Sequence, residues 1–170
     1  MPFDISEHLP EEFSESSRVW IYQSDRLFFV NELFEIEDLL ADFVQQWKSH
    51  TEDVKAYANV FFGRFIVLMA DESQTKVSGC STDSSVRFIK QLEQKFNVNF
   101  FNRQMLAFSR NDKVEMVPLN QLKYAIDNGL ITGETLYFDN TVLTKAEWKN
   151  WIKPAKHSWL EKYFNSKVLI

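Results

Sequence analysis

The run from Phe61 to Ala70 constrains the fold of this 170-residue chain more than any other stretch. It reads FFGRFIVLMA, in which only Gly63 and Arg64 are not apolar. A run of this length is too short to be a membrane helix, and such continuous apolar character is typical of a strand covered on both faces. We therefore expect residues 61–70 to form the central strand of a sheet, with Gly63 marking a bulge or a close backbone approach.

One amphipathic helix is predicted before this strand in the sequence, and another is predicted after it. The first runs from Glu32 to about His50 with Asn31 as its N-cap, and acidic residues crowd its first half, where the helix dipole favours them. Its apolar residues recur at helical spacing, at Leu33, Ile36, Leu40, Phe43 and Trp47. The second helix runs over residues 84–97, and we expect both helices to pack on the sheet.

Further strands are indicated by short runs of β-forming residues between turn signals. They cover residues 18–23, 54–60, 104–109, 113–117 and 135–138, with a shorter candidate at 76–77. The Arg110-Asn111-Asp112 segment between two of them predicts a hairpin turn. Hairpins of this kind favour the α+β class, with a mostly antiparallel sheet and helices packed on it.

The C-terminal region is predicted to be helical. Pro118 opens a helix that Asp127-Asn128-Gly129 stops, and Thr144-Lys145-Ala146-Glu147 is a capping box for another. That second helix would carry Trp148, Trp151 and Ile152 until Pro154 interrupts it, and a last helical piece would hold Trp159, Leu160 and Phe164. A chain of this length is expected to form one domain over residues 1–170.

Charge and cysteine content indicate the setting of the domain. Residues 1–54 carry thirteen acidic and three basic side chains, so −10, while residues 55–170 carry eleven acidic and sixteen basic, so +5. Residues 1–16 are acidic and lack periodicity, which predicts a loosely ordered arm. The single cysteine allows no internal disulfide, and the start has neither a basic nor an apolar leader, so we expect a cytoplasmic protein without membrane insertion.

The junction segment, residues 78–88, is the candidate site. Its sequence is SGCSTDSSVRF, and it combines the sole cysteine, Cys80, with five hydroxyl side chains, Asp83 and Arg87. A thiol just before a helix is stabilised as thiolate by the helix dipole, and free N–H groups there can bind an anion. Cys80, Arg87 and Asp83 are the catalytic candidates, and ligand binding would fall to Ser78, Gly79, Ser81, Thr82, Ser84 and Ser85.

A plainer interpretation of the same segment is helix capping. Ser81, Thr82 or Asp83 could be the N-cap, Gly79 could supply the turn conformation, and a free cysteine is often buried. The loop also differs from the phosphate loop of cysteine phosphatases, because six residues rather than five separate Cys80 from Arg87.

Other site types are not favoured by the sequence. The three histidines are far apart, so no metal site is predicted, although Asp71, Glu72 and Asp83 could converge on a hard cation. No P-loop and no dinucleotide fingerprint occurs, so no cofactor is predicted. Lysines interleaved with aromatics after residue 144 could track a nucleic acid, but the same pattern is typical of a packed helix with a solvated face, so nucleic acid is not the favoured partner.

Residues 18–23, 64–68 and 78–90 together resemble a family of uncharacterised bacterial proteins that often carry the automatic label "ABC transporter ATPase". The quoted segments read RVWIYQ, RFIVL and SGCSTDSSVRFIK. An ATP-binding cassette requires a glycine-rich loop ending in Gly-Lys-Ser/Thr, which this chain lacks, so the resemblance implies a family but no activity.

Two functions remain open at this point. The favoured one is a non-enzymatic cytoplasmic binding or interaction module with a protein partner. The alternative is a small enzyme or anion-binding protein that uses Cys80 and Arg87. Burial of Cys80 would favour the first function, and an exposed Cys80 in a polar pocket would favour the second.

Overall fold

The computed structural model describes residues 3–5 and 9–165, whose contacts form two compact units. Unit 1 contains residues 3–5, 9–101 and 142–148, and unit 2 contains residues 102–141 and 149–165. Each unit combines helices with an antiparallel sheet, which confirms the α+β class. The single domain over residues 1–170 stays a prediction.

Unit 1 is built around a three-stranded sheet. In chain order its elements are β1 (Arg18–Gln23), α1 (Val30–Gln46), β2 (Lys48–Ser49), β3 (Glu52–Asp53), β4 (Lys55–Phe61), β5 (Phe65–Asp71) and α2 (Gly79–Phe96). The sheet order is β1-β5-β4 with antiparallel pairing throughout. Every residue of β5 is buried, which confirms a central strand covered on both faces.

The boundary of the central strand differs from the prediction at its start. Phe61 ends β4, and a tight turn at Phe62 and Gly63 leads into β5. Both turn residues have positive φ, 55° at Phe62 and 63° at Gly63, so the glycine serves a hairpin rather than a bulge. The apolar run concealed the turn, because Phe62 supplies one of the two left-handed positions without a turn-forming residue type.

The two long helices pack on the sheet as predicted, around Ile36, Leu40, Ile66, Leu68 and Ile89. α1 begins at Val30 rather than Glu32, so Asn31 lies inside the helix and is not its N-cap. A carboxylate oxygen of Glu32 instead accepts a hydrogen bond from the Phe29 N–H at 2.8 Å. A carboxylate at the third residue of a helix can accept a hydrogen bond from the backbone N–H of the N-cap residue, which has no partner within the helix.

α1 ends at Gln46, four residues before the predicted end. Trp47 is extended, and β2 and β3 form a small hairpin whose turn residues, His50 and Thr51, have positive φ. The indole of Trp47 is nevertheless buried, as its helical spacing suggested. Burial of this side chain does not require it to continue the helix.

Residues 9–16 differ from the predicted loosely ordered arm. Phe13 is buried, and the Ser14 N–H donates to a carboxylate oxygen of Asp71 at 3.0 Å. The Lys145 ammonium donates to the carbonyls of Pro10 and Phe13 at 3.0 and 2.7 Å. Residues 1–2 and 6–8 of the predicted arm lie outside the described residues.

Unit 2 contains a four-stranded antiparallel sheet of order β7-β6-β8-β9. Its elements are β6 (Met105–Arg110), β7 (Lys113–Pro118), α3 (Leu122–Asp127), β8 (Leu136–Phe138), β9 (Ile152–Pro154) and α4 (Glu161–Phe164). Asn111 and Asp112 both have positive φ, which confirms the hairpin turn between β6 and β7. A 3₁₀ turn over 119–121 leads into α3, and Gly129 follows its end as predicted.

The helix predicted from Thr144 is wrong. Thr144 bridges to Arg18, residues 148–150 form one 3₁₀ turn, and 152–154 form strand β9. Glu147 N–H does hydrogen-bond Thr144, but the Glu147 carboxylate accepts from Leu143 N–H at 2.7 Å and so does not close a capping box. From Thr144 to residue 165, helical structure is therefore limited to two 3₁₀ turns, at 148–150 and 155–157, and α4.

Among the described residues, no helix has the length and apolar character needed to span a bilayer.

Candidate functional site

The junction segment lies within the first three turns of α2 rather than before the helix. Ser78 is the N-cap, with extended backbone, and its hydroxyl accepts a hydrogen bond from Ser81 N–H at 3.1 Å. Ser81, Thr82 and Asp83 were predicted as N-cap candidates, and all three are helical. The helix was predicted to begin at residue 84 because its periodic apolar residues begin near there. The first turn of α2 is polar and gives no such periodic signal.

All five hydroxyl side chains of the junction segment form hydrogen bonds within the fold. The Thr82 hydroxyl donates to the Ser78 carbonyl at 3.1 Å, Ser84 donates to the Ser81 carbonyl at 2.8 Å, and Ser85 donates to the Thr82 carbonyl at 2.7 Å. Bonds of this kind to the preceding turn are a common local use of Ser and Thr in helices. The protons of these three hydroxyls are therefore used by the backbone of α2, and their predicted role in ligand binding stays a prediction.

Ser81 connects α2 by two hydrogen bonds to the segment that follows α1. Its buried hydroxyl donates to the Lys48 carbonyl at 2.7 Å, and the Trp47 indole N–H donates to the Ser81 carbonyl at 2.9 Å. Ser85 is also buried; burial raises the pKa of Tyr22, and the nearby Ser85 hydroxyl opposes the rise. The buried hydroxyls explain much of the polar richness that made the segment conspicuous in the sequence.

The three catalytic candidates lie on the solvent side of α2. Cys80, Asp83 and Arg87 are all exposed. Spacings of three and four residues place them along one helix face. Among the described residues, none of the three forms a hydrogen bond or ion pair with the other two. Arg87 lies about two turns, roughly 10 Å, from Cys80, so the structure does not bring the predicted catalytic groups together.

Gly79 does not provide a special turn conformation. It is helical with no positive φ, and a Cβ built on it meets no atom within 4 Å. The backbone therefore does not require a glycine at position 79. The predicted role of Gly79 in ligand binding stays a prediction.

The acidic residues considered for a cation are used differently. Asp71 is buried and accepts hydrogen bonds from the Ser14 and Ser73 N–H groups, at 3.0 Å each, with Lys55 at 3.4 Å. The hydrogen bond from Ser14 is the main reason that the pKa of Asp71 lies well below its usual range. Glu72 accepts from Val77 N–H, and Asp83 is on the surface of α2. Within residues 3–5 and 9–165, no group of three or more His, Cys, Asp or Glu is placed to hold a metal ion.

The aromatic residues considered for nucleic-acid stacking are partly core residues. Trp148 and Trp151 are buried, each in its own unit, whereas Trp159 is 42% exposed beside Lys162. A buried indole cannot stack on a base, so two of the three tryptophans in the pattern serve packing.

Sequence reasoning missed an exposed apolar patch at the start of α1. We define the patch as Leu27, Phe29, Val30 and Phe34, whose exposures lie between 55% and 68%. The helical spacing already indicated that Val30 and Phe34 are exposed, because both fall outside the buried stripe that contains Ile36 and Leu40. Large apolar side chains grouped on the surface are the feature most often associated with a binding surface.

Comparison with known proteins provides no relative: no protein-family model, no curated protein and no solved structure matches the chain. The resemblance to a bacterial family stays a prediction.

Proposed function

We propose that this chain is a non-enzymatic interaction module that acts in the cytoplasm and binds another protein through unit 1. The observation that carries the proposal is the exposed apolar patch, in which four large apolar side chains within eight residues are each more than half exposed. Solvation of such a patch is unfavourable, so a partner that buries it gains free energy roughly in proportion to the area covered. The single exposed thiol is consistent with a reducing compartment.

The alternative, an enzyme or anion-binding protein, depends on Cys80 and Arg87. Cys80 is exposed, as that alternative requires. The protons of the surrounding hydroxyls, however, are used by the helix backbone, and within the described residues Arg87 and Cys80 form no hydrogen bond with each other. The interaction module gives the exposed apolar patch a role, whereas the alternative does not use that patch.

Binding can be tested by retaining proteins from a cell extract on the immobilised chain, purifying each one, and titrating it by calorimetry. We expect at least one purified protein to bind saturably, with a dissociation constant below about 10 μM. If every purified protein fails to bind below about 1 mM, the interaction module is wrong.

The alternative is tested with Cys80→Ser and Arg87→Ala, which alter exposed groups and should leave the fold unchanged. We expect both variants to bind the purified partner as the wild type does. Inorganic phosphate should produce no saturable shift in the amide resonances of α2. A saturable shift that Arg87→Ala abolishes would support the anion-binding alternative instead.

A further inference from the structure

We propose that the outer face of α1 is the contact surface of this module, and that its occupant is a basic segment of a partner protein carrying an apolar anchor. This inference rests on the proposed function and specifies the surface and the partner chemistry. The outer face consists of Val30, Phe34, Glu37, Asp38 and Asp42, all of which are exposed.

The first part of the face is apolar. Val30 and Phe34 are one helical turn apart, on the same side of α1, and are 68% and 67% exposed. Leu27 and Phe29 extend the apolar surface beyond the helix start, with the Arg26 guanidinium 5.2 Å from the centre of the Phe29 ring. This end of the face is suited to an apolar side chain of the partner.

The second part of the face is acidic. α1 contains five acidic residues and no basic one. Two of them are paired: Glu32 with Arg26 at 2.7 Å, and Glu35 with Lys95 at 2.7 Å. Across the described chain, the carboxylates of Glu37, Asp38 and Asp42 have no hydrogen-bond or ion-pair partner.

The position of these three carboxylates is not explained by the stability of α1. Asp38 and Asp42 are four residues apart, a spacing at which like charges repel each other on a helix. Asp42 lies in the C-terminal half of α1, outside the first turn in which the helix dipole favours a negative charge. A cationic partner would relieve the repulsion between Asp38 and Asp42, so the charge pattern complements a basic segment.

The same charges argue against other occupants. Phosphate backbones and anionic membrane surfaces would be repelled by a face without basic residues. Residues 3–5 and 9–165 also offer no cluster suited to a metal ion. A protein segment that combines lysine or arginine with an apolar anchor satisfies both parts of the face.

The probe is a labelled synthetic helical peptide of 17 residues, the length of α1, composed of lysine and alanine with leucine at two positions four residues apart. Two reference peptides replace the leucines by serine or the lysines by glutamate. We expect the first peptide to bind, measured by fluorescence anisotropy, and both reference peptides to bind at least about tenfold more weakly. Equal binding of the serine-containing peptide would overturn the proposal, because it would reflect general attraction between opposite charges.

Protein variants locate the contact. We expect Phe34→Ser to weaken peptide binding by about tenfold or more, since the apolar anchor is lost. Tyr124→Ser is the matched control, because Tyr124 is also 67% exposed but belongs to unit 2, and it should leave binding unchanged. The triple variant Glu37→Gln, Asp38→Asn, Asp42→Asn should weaken binding and flatten its salt dependence, whereas Glu115→Gln in unit 2 should do neither.

The outcomes separate this inference from the proposed function. If the purified protein partner binds Phe34→Ser normally and the peptide does not compete with it, the surface is wrong while the interaction module stands. If no protein partner binds in the first place, the proposed function itself fails. Concentration-dependent dimerisation in sedimentation velocity, abolished by Phe34→Ser, would overturn the proposal in favour of a second copy of the chain.

Discussion

Units 1 and 2 reach a buried core by different means. Unit 1 places two helices of 17 and 18 residues over a sheet whose central strand is buried at every position. Unit 2 has no α-helix longer than six residues in its described part, and two of its four strands have three residues each. Its core instead packs short elements around a mixed cluster of aliphatic and aromatic side chains, among them Leu106, Phe108, Leu122 and Tyr137.

Two tryptophans of unit 2 have indole N–H groups that are hydrogen-bonded to other side chains. The indole N–H of Trp151 donates to the side-chain carbonyl of Asn140 at 2.9 Å, and that of Trp159 donates to the Tyr137 hydroxyl at 3.1 Å. Trp151 is fully buried whereas Trp159 is 42% exposed, so the ring of Trp151 contributes more buried area to the unit. The comparison teaches that a buried core can form where long helices pack on a sheet, as in unit 1, or where short elements surround a small cluster, as in unit 2.

The largest effect is expected from Trp151→Ala in unit 2. Trp151 is fully buried, and removal of a buried tryptophan side chain leaves a cavity that costs about 3–5 kcal/mol of unfolding free energy. Urea denaturation measures the change. Trp159→Ala, at a position that is 42% exposed, serves as control and should cost clearly less. Equal losses for the two variants would contradict the larger contribution expected from the buried ring of Trp151.

Leu40→Ala tests the corresponding position in unit 1. Leu40 is buried where α1 packs on the sheet, so we expect a loss of about 2–5 kcal/mol. Phe34→Ala on the exposed side of the same helix should change the unfolding free energy by less than about 0.5 kcal/mol. A loss below about 1 kcal/mol for Leu40→Ala would show that the buried stripe of α1 is misplaced.

Asp71→Asn tests the polar contact that ties residues 9–16 to the central strand. The variant loses the charge that the Ser14 N–H stabilises, and we expect a cost of about 1–3 kcal/mol at neutral pH. Because the pKa of Asp71 is lowered by folding, its contribution is present above the ordinary aspartate pKa of about 3.9 and is lost as the pH falls further. Denaturation of both proteins between pH 7 and pH 2 measures the difference. A difference that does not shrink in acid would contradict this assignment.

The smallest effect is expected from Tyr137→Phe in unit 2. Burial raises the pKa of Tyr137 to about 12, the hydrogen bond from Trp159 opposes the rise, and the charge of Asp139 adds to it. Because the folded pKa exceeds the ordinary value of about 10, the protonated phenol stabilises the fold below pH 10, and this contribution is lost as the pH rises toward 12. The variant should lose about 0.5–1.5 kcal/mol at neutral pH.

The alkaline limb distinguishes the roles of Tyr137. Denaturation at pH 7 and at pH 11 should show a smaller alkaline loss of stability in Tyr137→Phe than in the wild type. Tyr124→Phe, at an exposed position, is the control and should follow the wild type at both pH values. Identical alkaline behaviour of wild type and Tyr137→Phe would mean that the phenol does not resist ionisation in unit 2.

The sequence by itself determined the elements whose signal is local. The all-apolar run predicted the central strand β5, the 3.6-residue period predicted which side of α1 faces the sheet, and Asn111-Asp112 predicted the hairpin between β6 and β7. These features depend on near neighbours in the chain, so periodicity and turn chemistry are sufficient to find them.

Only the tertiary structure decided the uses of residues whose partners are distant in sequence. Ser81 and Trp47 bond to each other across 34 positions, so Ser81 of the hydroxyl-rich junction joins α2 to the segment that follows α1. Thr144 pairs with Arg18 in an isolated β-bridge, and turn residues followed by a 3₁₀ turn at 148–150 take the place of the helix that the local sequence favours. Local propensity amounts to a few tenths of a kcal/mol per residue, and such long-range pairing and burial exceed it.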